Sequence, residues 1–227
     1  ASGPTVPDPT TNADARAVLA KYRVPMTPAI ERLLGDPANE TPKPGDPVFA
    51  GTSYRVIATP AEALAAAAGA AARLGYRVVS LGADVEGEAR VVARDHAAMA
   101  LAARGRGERV AILSGGELTV TVTGDGRGGP NQEYAQALTL ALAGAPGIHA
   151  LAADTDGTDG GAGSASDPAG AIVAPDTLAR ALAAGLDPAG LLANNDATGF
   201  FEPLGDLVSP GPTMTNVNDL RVILVDP

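Results

Sequence analysis

Short apolar runs alternate with longer Ala- and Leu-rich stretches along most of the chain, and that alternation predicts its elements. From residue 54 onward it reads as a strand over 54–58, a helix over 60–74, a strand over 76–81, a helix over 88–104 and a strand over 109–113. Regular β–α–β–α–β spacing implies right-handed crossovers and a parallel sheet with helices on both faces. Residues 118–123 are rich in β-branched side chains and follow the last of these strands after Ser114-Gly115-Gly116-Glu117. That spacing suits a hairpin-like or antiparallel addition and makes the sheet mixed. A long helix over 131–143, a strand over 148–153, a Gly/Asp-rich loop and an extended 171–173 come next. Helices over 176–184, 188–194 and 197–204 and a strand over 220–225 complete the prediction.

The stretch before residue 54 is built differently. Residues 1–9 read as a loop with neither the charged nor the apolar region of a signal peptide. Thr10-Thr11-Asn12 precedes a helix-forming run over 13–22, where a short polar side chain can satisfy the free amides of the first turn; a second short helix is predicted over 28–34. Gly35, Pro37, Pro42, Pro44, Gly45 and Pro47 then punctuate a linker or crossing strap, and a domain boundary is placed there.

Composition changes this picture in three ways. Aromatics are 3% of the chain and Trp is absent, so the core must be built from Ala, Val, Leu and Ile, with small residues allowing close helix–sheet contact. The net charge of -10 argues against a sequence-independent nucleic-acid surface, which needs a basic stripe. Any phosphate site must therefore be local, made by helix N-termini, a few Arg residues and a divalent metal. There is no Cys, which excludes disulfides and thiolate metal sites, and the apolar runs are too short or too interrupted to span a bilayer.

Three stretches carry candidate chemistry. The densest is Leu113-Ser114-Gly115-Gly116-Glu117 followed by Gly124-Asp125-Gly126-Arg127-Gly128-Gly129-Pro130-Asn131-Gln132-Glu133. Glycines between a strand and a helix let backbone amides approach an anion, with the helix N-terminus completing a phosphate or carboxylate cradle. The same residues also read as a glycine-rich turn with Asn131 as a local cap. Next, Asp154-Thr155-Asp156-Gly157-Thr158-Asp159-Gly160-Gly161 follows an apolar strand. Carboxylates at the C-terminal end of a strand suit Mg²⁺ held against phosphate, and the spacing does not fit an EF-hand; an acidic surface loop built on Asx turns is the plainer alternative. Last, Ser209 to Asp219 offers hydroxyl and amide groups just before the final strand, and Ser2-Gly3-Pro4-Thr5 resembles an anion loop or a simple turn.

A rival reading uses the same glycines. Gly124, Gly126 and Gly129 satisfy G-x-G-x-x-G after a strand and before a helix, with Asp154 at the end of the next strand, close to a dinucleotide-binding pattern. Against it, the helix begins with the polar Asn131-Gln132-Glu133, and His96 and His149 both fall where a structural role is expected. Lys21 and Lys43 are followed by Tyr22 and Pro44, so a Walker-type P-loop is absent.

Taken in order, residues 2–11, 40–46, 86–89, 113–117, 126–133, 154–160 and 211–221 resemble the successive signatures of the glycerate 2-kinase family with its C-terminal MOFRL domain. Members of that family have also been called hydroxypyruvate reductase. The resemblance implies a three-layer α/β/α fold with a mixed, largely parallel sheet over 45–227. Residues 1–44 would be the remnant of a second, N-terminal α/β domain that holds a catalytic lysine. It further implies a cytoplasmic enzyme of glycerate metabolism transferring the γ-phosphoryl group of ATP to D-glycerate with Mg²⁺, a homodimer among its assemblies, and a chain that is inactive or nearly so without the other half. The expected roles are Gly115, Gly116, Gly126, Arg127, Gly128 and Gly129 for phosphate, Asn131 and Glu133 near substrate, and Asp154 and Asp156 for metal and catalysis. Ser2, Thr5, Thr215, Asn216 and Asn218 are expected to orient substrate. Where many relatives carry Arg, this chain has Pro130, and Arg127 is the candidate substitute. The alternatives are an NAD(P)H-dependent hydroxypyruvate reductase and a non-catalytic ligand-binding or assembly module.

Overall fold

The computed structural model describes residues 5–160, 164 and 166–227, and the chain divides into two compact units, Ala1–Ile57 and Ala58–Pro227. In the first unit α1 (Asn12–Lys21) starts from a capping box: Thr11 Oγ accepts from the Asp14 amide and the Asp14 carboxylate accepts from the Thr11 amide. Helix α2 (Pro28–Gly35) has Thr27 as its cap and Pro28 in its first turn, where a missing N–H costs nothing. Lys43 donates to Glu40, whose carboxylate also accepts from the Asn12 amide, and so ties the strap back to α1. Neither helix buries a residue completely within the unit.

The second unit begins with α3 (Pro60–Arg73), then β1 (Arg77–Ser80), β2 (Gly87–Glu88), α4 (Ala89–Gly105), β3 (Val110–Ser114) and β4 (Leu118–Thr119). It continues with α5 (Pro130–Leu142), β5 (Ile148–Asp154), β6 (Gly170–Val173), α6 (Thr177–Ala183), α7 (Pro188–Ala193), α8 (Ala197–Phe201), β7 (Leu207–Val208) and β8 (Asp219–Val225). Six strands form one sheet in the order β1-β3-β8-β5-β6-β7, and β2 and β4 form a separate parallel pair. Ala111, Leu113, Val222 and Leu224 point to the face covered by α3, while Val110, Ile112, Ile223 and Val225 point to the opposite face, covered by α4 and α5. On that second face α4 presents Ala89, Ala93, Ala97, Ala100 and Ala103, a stripe narrow enough to bring the helix axis close to its neighbours.

The expected mixed α/β sheet with helices on both faces is therefore present, with a different balance of pairings. Within the six-stranded sheet only β1 and β3 pair in parallel; β3–β8, β8–β5, β5–β6 and β6–β7 are antiparallel. Two of these four pairings come from β8, which enters between β3 and β5 in the opposite sense and separates strands that a simple crossover would have made neighbours. Residues 118–123 do not join this sheet as an antiparallel addition, since Leu118 and Thr119 pair with Gly87 and Glu88 instead. The strand expected over 54–58 does not form; Ile57 is 88% exposed and the segment has no ladder partner among the described residues.

Candidate functional site

Strands β3 and β5 finish, and β8 begins, at one end of the sheet, with Ser114 opposite Arg221 and Asp154 opposite Asp219. All three sequence-predicted stretches meet there. The N-terminus of α5 comes to the same end because the Asn131 side chain donates to the Asp219 carboxylate at 2.8 Å.

The first-turn amides of α5 are already occupied. Asp159 Oδ1 accepts from the backbone and side chain of Asn131 at 2.9 and 3.1 Å, and Oδ2 accepts from those of Gln132 at 2.8 and 3.2 Å. A carboxylate of the chain itself thus sits in the anion seat that the helix N-terminus creates. Burial pushes the Asp159 carboxyl up to about 6, against the four N–H donors that pull it down.

The glycines before α5 have a packing reason to be glycines. A Cβ at Gly124 would lie 2.3 Å from the Asn194 carbonyl oxygen, one at Gly126 2.4 Å from Asp196 Cβ, and one at Gly129 2.0 Å from the Asp159 carbonyl oxygen. Segment 194–198 clamps this loop: Gly126 N–H donates to Asn194 O, Arg127 N–H to the Asp196 carboxylate, and Thr198 N–H to Arg127 O. Asn195 Oδ1 accepts from the Thr123 and Gly124 amides while its Nδ2 donates to Glu133. The other Glu133 oxygen accepts from Arg90 at 2.6 Å, so this carboxylate is buried and doubly engaged. At the other turn, Gly115 and Gly116 are buried against residues 83–85, and at Gly116, with φ +91, a Cβ would lie 2.2 Å from the Val85 nitrogen.

The acidic loop and the loop before β8 are laced together. Thr155 N–H and Oγ–H both donate to Asn218 O, Val217 N–H donates to Thr155 Oγ, Thr213 N–H to Asp156 O, and Asn216 Nδ2 to Asp156 Oδ2. Asp154 Oδ1 accepts from the Asp156 amide, and Asp156 Oδ1 from the Thr158 amide and hydroxyl. Burial, with the carboxylates of Asp156 and Asp219 nearby, raises the Asp154 carboxyl to about 6. Thr215 is exposed and its carbonyl accepts from Thr213 Oγ. Met214 and Asn218 hold φ of +61°, and Met214 is 94% exposed at the loop tip.

Beside the Asp159 cap lies an open pocket of about 550 Å³ lined by Gly126, Arg127, Gly128, Gln132, Asp167 and Thr198, with Asp159 and Pro168 at its wall. Among the described residues its guanidinium, Arg127, is held only by an exposed pair with Glu202 at 2.9 Å, a bond of small net worth in water. Of the expected site residues, Asp154, Asp156, Asn216 and Asn218 come together at the laced loops, and Gly126, Arg127 and Gly128 line the pocket. Asn131 bridges Asp159 and Asp219. Thr5 lies in the first unit in an exposed turn, and Ser2 falls outside the described residues. Among the described residues β4, α5 and β5 do not form the βαβ unit that a dinucleotide site requires, because β4 and β5 belong to different sheets.

Sequence reasoning passed over Asp219, Arg221 and the clamp residues Asn195, Asp196 and Thr198. Arg221 is 1% exposed and donates to Ser114 Oγ at 3.1 Å, to Gly115 O, and to Asp219 at 2.9 Å. Its signal was present: in Asp219-Leu220-Arg221-Val222-Ile223-Leu224-Val225 the alternation puts Arg221 on the face of Ile223 and Val225, an inward position no charge occupies without a partner. His96, also buried, shares a 2.9 Å hydrogen bond with the Tyr134 hydroxyl; burial and then Arg221 hold its imidazole down to about 4.

Residues 110–219 match the MOFRL family, and residues 1–35 match a domain of unknown function, DUF4147. An Agrobacterium vitis protein provisionally named hydroxypyruvate reductase is 49% identical over 99% of this chain and 51% of its own length. The D-glycerate 2-kinase of Thermotoga maritima is 34% identical over 99% of this chain and 52% of its own. A crystal structure of glycerate kinase from the same organism superposes with a TM-score of 0.79 at 34% identity, covering 96% of this chain and 51% of that one. The chain spans about half the length of these relatives. The chain thus carries a MOFRL match over residues 110–219 and a DUF4147 match over residues 1–35, and along nearly its whole length it is similar to about half the length of proteins named D-glycerate 2-kinase or, provisionally, hydroxypyruvate reductase.

Proposed function

We propose that this chain supplies the C-terminal half of the active-site cleft of an ATP-dependent D-glycerate kinase that forms 2-phosphoglycerate. The observation that carries the reading is the convergence, at one end of one sheet, of the laced Asp154–Asn218 loops, the α5 N-terminus and the Arg127 pocket. The names of the relatives point the same way. In such a transfer the bond between the γ-phosphorus and the β-bridging oxygen breaks, a bond to the glycerate hydroxyl oxygen forms, and the hydroxyl proton is lost to a base or to water. This chemistry asks for positioning and charge neutralisation rather than covalent catalysis.

The charges present bear on how a polyanion could enter. Asp159 and Asp167 face the pocket with Arg127 as its cation, so a triphosphate needs a divalent companion. Asp154 and Asp156, two residues apart at the end of β5, would hold Mg²⁺; Mg²⁺ commonly takes one or two carboxylates and completes its shell with water and phosphate. Among the described residues no cluster of three or more His, Cys, Asp or Glu is placed to hold a metal, so these two carboxylates would need phosphate and water to complete the shell. When bound, the ion would neutralise phosphate charge. The chain's own part is to orient: Asn216 holds Asp156, Asn131 bridges to Asp219, and Glu133 acts at one remove by fixing Asn195 and the loop it clamps.

The provisional name of the 49% identical relative favours a second reading, a hydroxypyruvate reductase. The fold lends it little, because the glycines it requires face the chain's own backbone. Calorimetric titration with MgATP, D-glycerate and NADH in turn, at matched salt, separates the two. Binding of MgATP or D-glycerate without NADH is expected; tight NADH binding with neither of the others overturns the kinase reading.

A further inference from the structure

We infer that the buried Arg221–Asp219 pair is the positioning element of this site: it holds the Ser114-Gly115 turn and the Asn131 side chain in one arrangement, and ligand affinity at this end of the sheet depends on it. The inference rests on the phosphoryl-transfer reading for the identity of the ligand, and on the geometry alone for the rest.

Arg221 directs its guanidinium at three partners from two segments: Ser114 Oγ and the Gly115 carbonyl at the end of β3, and the Asp219 carboxylate at the start of β8. Asp219 passes the connection on, because its second oxygen accepts from Asn131 Nδ2, and that same amide donates to Asp159. A continuous path therefore runs from the end of β3, through the start of β8, into the first turn of α5 and out to the wall of the Arg127 pocket. Asn131 is 1% exposed, and its Oδ1 has no hydrogen-bond partner among the described residues. The orientation of this side chain is consequently set by its two donor bonds, one of them to Asp219.

Stability alone gives a weak reason to keep such a pair. A buried ion pair exchanged as a whole for apolar side chains of similar size is commonly neutral or stabilising, because desolvation offsets the attraction. The neighbouring inward positions of β8, Ile223 and Val225, already show apolar side chains packing well on this face. What an apolar pair cannot supply is direction. The planar guanidinium fork fixes a hydroxyl, a carbonyl and a carboxylate at once, a task lysine's single ammonium does not reproduce.

The test uses the full 227-residue chain. Arg221→Lys keeps the charge and loses the fork; the paired Arg221→Met with Asp219→Leu removes both charges and takes its place if the single variant does not fold. Amide hydrogen exchange and calorimetric affinity for MgATP and D-glycerate are measured on each. The expected result is exchange about tenfold faster at Gly115, Gly116 and Asn131, with β5 amides protected as before, and affinity weaker by about tenfold, the scale of one lost charge-assisted hydrogen bond. Unchanged exchange at those three amides overturns the inference, and so does undiminished affinity beside altered exchange. If the unsubstituted chain binds neither ligand, the kinase reading is what falls, and the exchange measurement alone decides the positioning role.

Discussion

Replacing Asp159 by Ala removes the acceptor of four N–H groups at once, two from the backbone of α5 and two from side chains, all on buried residues. Loss of a helix cap costs about 1–2 kcal/mol, and each buried donor left unpaired costs about 1–3 kcal/mol where water cannot reach it. The adjoining pocket admits water, which recovers part of this, so a net loss of about 3 kcal/mol is expected. With a urea dependence of about 2 kcal/mol/M, the unfolding midpoint falls by about 1.5 M. Denaturation at pH 7.5, where a carboxyl raised to about 6 is ionised, measures it directly. Asp159→Asn keeps the shape but turns an NH₂ group toward N–H donors, so it recovers at most half of the loss. A midpoint for Asp159→Ala within about 0.3 M of the unsubstituted chain would refute the claim that this side chain, and not a ligand, is the resident occupant of the α5 N-terminus.

Further outcomes follow from the same packing. The His96 imidazole titrates below its unfolded value, so the unfolded chain binds the extra proton first; its contribution is complete above about pH 6.5 and is lost as pH falls toward about 4. Between pH 7 and 4.5 this amounts to about 2 kcal/mol, and His96→Gln should remove that much of the pH slope in paired denaturation curves. Gly124→Ala must displace the Asn194 carbonyl and should lower stability by more than about 2 kcal/mol; a melting temperature within error of the parent would sink the clamp explanation of that glycine. Met214→Gly relieves a left-handed backbone at an exposed tip and should stabilise by about 1 kcal/mol, read as a rise in melting temperature. In a full-length relative carrying the same loop, the substitution equivalent to Asp156→Ala should abolish metal-dependent turnover without loss of fold; unchanged kinetics would remove the metal assignment.

The helices and most strands of this fold were legible because their signals are local. Thr11, Thr27 and Thr59 cap helices where a short hydroxyl precedes a helix-forming run, and Pro60 and Pro130 stand in first turns. Strand partners were not legible, because pairing is decided by which edge is free rather than by the residues of one strand. Nothing inside 219–225 announces that it enters between β3 and β5, and nothing in 54–58 announces that it stays unpaired. At the site, the stretches that meet were visible as polar interruptions between apolar runs. Their internal roles were not: Asp154, Asp156 and Asp159 look alike in sequence, yet only Asp159 reaches the α5 amides. The glycines of 124–129 suggested an approaching anion, and what approaches them is the backbone of 194–196 and 159.

The central place of β8 has a consequence for the order in which the chain is made. Its residues are synthesised about a hundred positions after β3 is complete. At roughly 5–20 residues per second, the facing edges of β3 and β5 go unpaired for several seconds on the ribosome. During that interval the partly made sheet carries two open templates for strand addition, one of them ending in the Ser114-Gly115 turn that Arg221 has yet to reach. Ordering of the candidate site is therefore among the last events of folding, and a chain cut short before residue 219 loses the centre of its sheet rather than its edge.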